Sequence, residues 1–142
     1  MKLFYLLLLL LIGTLDCQSQ TSKSSFPIQE TIITGNLSKV KQFLKNNRDI
    51  NAHYANYTLL CSAVKANQKG IVVYLIENGA DLNKMSNKKT PLMYAAKYGR
   101  LEIAQLLLQK GANKAVLSPK GKAALDYASH YKQYKLVDLL AN

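Results

Sequence analysis

Thr90-Pro91-Leu92-Met93-Tyr94-Ala95-Ala96-Lys97-Tyr98-Gly99 reads as one short helix with both of its ends specified. Thr90 is an N-cap, since its hydroxyl can satisfy an orphan amide of the first turn. Pro91 then falls at the first helical position, where its missing N–H costs nothing and its fixed φ suits the helix. Leu92, Ala95 and Ala96 stand at i, i+3 and i+4 and form one apolar face, on which alanine lets a neighbouring helix approach closely. Gly99 closes the helix, because a glycine takes the left-handed conformation without a side-chain penalty.

The segment repeats. Thr58-Leu59-Leu60-Cys61-Ser62-Ala63 lies 32 positions earlier and Ala123-Ala124-Leu125-Asp126-Tyr127-Ala128 lies 33 positions later. Phe26-Pro27-Ile28-Gln29-Glu30-Thr31 is a fourth, weaker copy. Each copy leads into a second apolar stretch: Val40 to Leu44, Ile71 to Ile76, Leu101 to Leu108 and Leu136 to Leu140. Closing turns follow at Asn78-Gly79-Ala80-Asp81 and Lys110-Gly111-Ala112-Asn113. A period of this length marks an array in which each unit buries its apolar face only against its neighbours.

The pattern resembles the ankyrin repeat, with Met93 in place of the family's usual His and Cys61 in the same slot one unit earlier. The resemblance covers residues 26–142 as four units, 26–57, 58–89, 90–122 and 123–142. It implies an all-α solenoid of stacked helix-turn-helix repeats with projecting hairpin fingers. The second helix of the third unit is expected to bury Leu101, Ile103, Ala104, Leu106, Leu107 and Leu108, apolar on most of its circumference. The outer units depart from the pattern as caps should. The first has Thr31-Ile32 for the paired alanines and Asn47-Arg48 for the closing Gly-Ala. The last has Lys132 for the mid-unit glycine and a polar second helix containing Lys132, Gln133, Lys135 and Asp138.

Before the array, Met1-Lys2 precedes an apolar run from Leu3 to Leu15 that is too short to span a bilayer as a helix. This is the form of a secretory signal peptide over residues 1–19, followed by a polar linker at 20–25, and it implies a periplasmic or secreted protein. Two endings are open. Cys17 and Ser19 suit a cut before Gln20, the preferred reading. Alternatively, the segment resembles a bacterial lipoprotein signal with Cys17 as the lipidated residue. Asp16 and Thr14 depart from that pattern, which usually has a small residue and Leu there. Membrane association is expected only with such an anchor.

The chain carries 19 Lys and Arg against 8 Asp and Glu, for a net charge of +11 that loss of residues 1–19 leaves unchanged. Such a balance favours acidic partners or anionic surfaces. The basic residues are scattered, without the dense run or interleaved aromatics of a nucleic-acid site. No catalytic constellation is present, and no cofactor or metal is expected. His53 and His130 stand far apart and read as solvated residues. Cys61 reads as a buried, inert thiol.

Function is therefore expected on the surface of a monomeric, non-catalytic protein-binding module. The family resemblance implies contact through finger tips and the concave face of the first helices. Tyr94 and Tyr127 are 33 apart, as are Tyr98 and Tyr131, so each pair should lie on adjacent units. The first pair reads as partly core. Tyr98 and Tyr131, with Lys97 and His130 beside them, read as the contact surface, joined by Tyr54 and Tyr57, by Lys84, Met85, Lys88 and Lys89, and by Lys120 on the fingers. Fingertip lysines ordinarily serve solvation alone. Two other functions fit the same residues: an anionic-surface lipoprotein using the +11 charge, and an inhibitor or immunity-type binder of an exported enzyme.

Overall fold

The computed structural model describes residues 28–46 and 48–142. The expected signal peptide, the expected cut before Gln20, the alternative anchor at Cys17, the expected linker and Asn47 lie outside the described residues. Eight helices among the described residues form four antiparallel pairs: α1 (Ile28–Ile33) with α2 (Leu37–Lys45), α3 (Leu59–Lys65) with α4 (Lys69–Glu77), α5 (Pro91–Tyr98) with α6 (Leu101–Gln109), and α7 (Ala124–His130) with α8 (Tyr134–Ala141). The first helices pack directly on one another in the order α1, α3, α5, α7, and the second helices form a looser outer layer. No helix among them is long and apolar enough to cross a membrane.

The sequence signals act where they stand. Thr58 and Thr90 accept hydrogen bonds from the amides of Cys61 and Met93, each at 3.2 Å. Met93 answers its cap, its sulfur lying 3.5 Å from the Thr90 amide. Ala123 has no hydroxyl to offer, and there Asp126 accepts from the Ala123 amide instead at 2.7 Å.

The turn between the paired helices is the same in all four units. A left-handed residue stands there each time: Gly35 (φ 73), Asn67 (φ 58), Gly99 (φ 69) and Lys132 (φ 56). The amide that follows it bonds back into the first helix, as in Gln68 to Ala63 O and Gln133 to Ala128 O. Lys132 thus adopts a glycine's conformation without being glycine.

One apolar core runs through the stack. Ile32, Val40, Leu59, Val64, Leu75, Leu92, Ala95, Ala96, Leu107, Ala128 and Leu136 are all buried. Alanine on the inner helices permits the close approach expected of it. The outer helices differ from expectation. In α6 only Ile103, Ala104 and Leu107 are buried, while Leu101, Leu106 and Leu108 are half-buried. An outer-layer helix has its own partner on one side and solvent on the other, so three of its six apolar positions suffice for the core. Lys132 and Gln133 likewise precede α8 and belong to the turn.

Asx turns start three fingers at one spacing: Asp49, Asp81 and Asn113 accept from the amides two residues on, at 2.8, 2.8 and 2.9 Å. Asparagines then tie each finger to the next, as Asn51 accepts from the Asp81 amide and Asn83 from the Asn113 amide. The finger joining the first two units is a hairpin of β1 (His53–Tyr54) and β2 (Tyr57–Thr58), turned by Ala55 and Asn56 at φ 50 and 71. The next turns at Asn87 and Lys88, φ 46 and 65, with Ser86 and Lys89 exchanging both backbone bonds. The last runs from Ser118 to Lys122 and turns through Gly121.

A ridge of lysines held over tyrosines

The exposed edge of the first-helix layer is built on Tyr94. Its ring is 2 % exposed, and its hydroxyl donates to Ser86 O at 2.9 Å, which fixes the finger base to the helix. Burial pushes its phenol above the ordinary tyrosine range. Tyr98 stacks on it with centroids 6.3 Å apart and planes 6° from parallel, and Tyr57 meets it edge-on at 6.0 Å. Tyr98 and Tyr131 are 38 % and 40 % exposed, and His130 lies edge-on against Tyr131 at 4.9 Å.

Lysines bridge the rings. Lys97 Nζ lies 5.1 Å from the Tyr98 centroid and 5.4 Å from that of Tyr131, one unit on. Lys89 Nζ lies 5.9 Å from Tyr94 and 5.8 Å from Tyr127. Lys65 Nζ lies 3.8 Å from Tyr57 and 5.7 Å from Tyr94. A cation within about 6 Å of an aromatic face is attracted by the ring quadrupole. Partial burial would lower the Lys97 pKa, but the phenolic oxygens of Tyr98 and Tyr131 outweigh it and hold Lys97 above the usual lysine value. The Tyr57 phenol is drawn below its ordinary range, first by the hydrogen bond from Asn87 and then by Lys65.

Tyr94 is core and Tyr127 half-buried, in line with the partly-core reading, while Lys97, Tyr98, His130 and Tyr131 share the exposed edge. Lys88, Lys89 and Lys120 line the same cleft as Tyr127, His130 and Tyr131. Tyr54 is turned inward: its hydroxyl donates to Asp49 O at 2.9 Å and its ring packs edge-on against Phe43. Lys84 and Met85 act through their carbonyls, which accept from Cys61 Sγ and from the His53 ring at 2.9 Å. His53 is exposed, as a surface residue should be, and its ring also latches one finger to the next. Lys89 is not merely a solvating fingertip either, because two rings hold it.

Sequence reasoning missed Lys65. The signal was there: Ile33, Lys65, Lys97 and His130 occupy one register at the array's own period. In the first two units that edge is more apolar, with Ile33 64 % exposed beside Ala55 and Ala66. Cys61 is fully buried, and burial raises its thiol pKa, the opposite of what a nucleophile needs. No three His, Cys, Asp or Glu residues among the described residues stand together as a metal site.

A stack of capped helix pairs with linked hairpin fingers and an exposed aromatic edge defines a helical repeat scaffold. The family described as ankyrin repeats (3 copies) matches residues 3–86 and 83–142, and the chain belongs to it. The chain is 33% identical over 113 residues to an ankyrin repeat-containing protein of Treponema pallidum (strain Nichols), covering 78% of this chain and 38% of that one. It is 30% identical over 127 residues to an ankyrin repeat protein of Rickettsia bellii (strain RML369-C), covering 89% and 59%. It is also 33% identical over 106 residues to the human NAD-capped RNA hydrolase NUDT12, covering 74% and 21%. The chain therefore spans less than two thirds of each of these relatives. Ankyrin repeats generally mediate protein–protein interactions, and the repeats imply a protein-binding scaffold.

Proposed function

We propose that this scaffold is exported, is not catalytic, and grips an acidic protein partner along the ridge from Tyr57 to Tyr131. The observation that carries the reading is Lys97 seated between Tyr98 and Tyr131. Rings orient a cation without neutralising it, so the ridge offers rigid aromatic area and positive charge together, the composition of an interface hot spot. Finger residues Lys88 and Lys120 extend the same charge. Export rests on the basic start, the apolar run to Leu15 and the small residues before Gln20. An inhibitor of an exported enzyme is one form such a partner pair would take.

The test is affinity capture with the purified chain from the medium and envelope of the producing cell. Proteins retained by the native chain and lost with the Tyr98→Ala/Tyr131→Ala variant are the expected result. The same set retained by both would remove the ridge from the reading. Mass spectrometry of the processed N-terminus distinguishes a chain beginning at Gln20 from one lipidated at Cys17.

A second reading has its own observation. Lys69 pairs with Glu102 at 2.7 Å, but 8 Asp and Glu are too few to pair more than a minority of the 19 Lys and Arg. An anionic membrane surface would exploit that, with or without a lipid at Cys17. Binding to anionic vesicles that collapses between low and high salt supports it, because exposed charges are screened beyond a Debye length.

A further inference from the structure

A cleft of about 360 Å³ opens between the finger at Asn87–Lys89, the finger at Ser118–Lys122 and the ends of α5 and α7. Five lysines line it: Lys88 and Lys89 from one finger, Lys120 and Lys122 from the other, and Lys97 from the floor. Asp126 is the one acidic residue of the lining, and its carboxylate is engaged by the Ala123 amide at 2.7 Å. Gathering five lysines around so small a volume is unfavourable in the free protein, because like charges repel and the lining holds a single carboxylate for the five. Two of the five, Lys89 and Lys97, are held by rings that leave their charge intact.

Lys88 adds a second observation. It sits at φ 65 in the second central position of a two-residue hairpin turn, the slot where glycine is strongly preferred. A lysine there is conformationally costly, and strain of this kind collects at binding positions.

We infer that this cleft seats carboxylate side chains of an acidic peptide segment of the protein partner. The inference rests on the scaffold reading above and adds which part of a partner is gripped, and where. The shape favours a peptide. A bilayer presents a flat plane of charge, whereas these lysines line a gap between two finger turns and the helix ends. Nucleic-acid bases would need open ring faces, and Lys97 and Lys89 already lie over faces of Tyr131 and Tyr127. A carboxylate on a flexible chain can enter the gap, which lysines from two fingers and a helix line.

The test is fluorescence anisotropy of a labelled peptide of alternating Glu and Gly against the purified chain, with a Gln-for-Glu peptide as the neutral control. The Glu peptide should bind and the Gln peptide should not. Lys88→Glu/Lys120→Glu/Lys122→Glu should weaken binding by about tenfold or more, as loss of a focused local field does. Lys41→Glu/Lys110→Glu/Lys135→Glu makes the same change of net charge on exposed residues elsewhere and should have a much smaller effect. Lys88→Gly and Lys132→Gly form a matched pair, since each removes one charge and one positive-φ lysine, and only the first should weaken binding. Circular dichroism melts confirm that each variant folds.

Equal losses in the two triple variants would overturn the inference, leaving net charge as the cause. So would tighter binding to phosphatidylserine vesicles or to oligothymidylate than to the Glu peptide, if the cleft variant abolished it. None of these outcomes touches the capture test, in which the ridge stands or falls on Tyr98 and Tyr131.

Discussion

Lys97 and Tyr131 belong to successive repeats, and the Lys97 ammonium lies 5.4 Å from the centre of the Tyr131 ring. One cation thereby couples the ends of α5 and α7 at the surface, where no apolar core reaches. A double-mutant cycle with Lys97→Gln and Tyr131→Leu should return a coupling of about 0.5–1 kcal/mol in chemical denaturation, the range for an exposed cation over a ring. A coupling of zero would mean that the contact is incidental.

The turns between paired helices allow opposite substitutions to be compared. At Gly99 (φ 69) an added Cβ would meet Gln133 Oε1 at 2.5 Å, a flexible side-chain end that can move aside, but the left-handed backbone penalty remains. Gly99→Ala should therefore destabilise by about 1–2 kcal/mol. Lys132 holds the same conformation in the last repeat, and Lys132→Gly should stabilise by up to about 1 kcal/mol. Urea midpoints of the two variants should move in opposite directions.

The outer helices give a contrast in burial between adjacent leucines. Leu107 is fully buried and Leu108 is half-buried. Leu107→Ala should cost about 2–5 kcal/mol, as cavity-forming changes in a core do. Leu108→Ala should cost less than half of that, because solvent already reaches its side chain. Equal losses measured by guanidinium unfolding would contradict the one-sided packing of this layer.

Cys61 and Tyr94 carry a pH dependence whose sign follows from burial. Burial raises the Cys61 thiol and the Tyr94 phenol above their ordinary ranges. A group whose folded pKa is raised contributes stability below its unfolded pKa and loses it as pH rises toward the folded value. The stability difference between the native chain and Cys61→Ala should be fully present at pH 7 and shrink as pH rises through about 8.5, the unfolded thiol pKa. Alkylation of Cys61 at pH 8 should be negligible in the folded chain and complete in denaturant.

Local chemistry made the fold legible before any coordinates. Thr90, Pro91, the paired alanines and Gly99 each act through bonds within a few residues, and recurrence at 32 to 33 positions then specifies stacking. The tyrosine pairs were legible for the same reason, since the period itself brings Tyr98 and Tyr131 to one edge. The inward turn of Tyr54 was not legible, because it depends on Phe43 and Asp49, which only the folded finger brings to it. The half-burial of Leu101, Leu106 and Leu108 was equally invisible, since apolar character does not say whether a helix has neighbours on one side or two.

The sequence by itself thus determined the repeat, its caps, its core stripe and its positive charge, all of which are properties of residue type and spacing. Only the tertiary structure decided that lysines from two fingers and a helix converge on one cleft, and that tyrosine rings hold Lys65, Lys89 and Lys97 in place. The Lys89–Tyr127 and Lys97–Tyr131 contacts join side chains 38 and 34 residues apart through the stacking of neighbouring repeats, and their energies depend on distances that spacing along the chain does not contain.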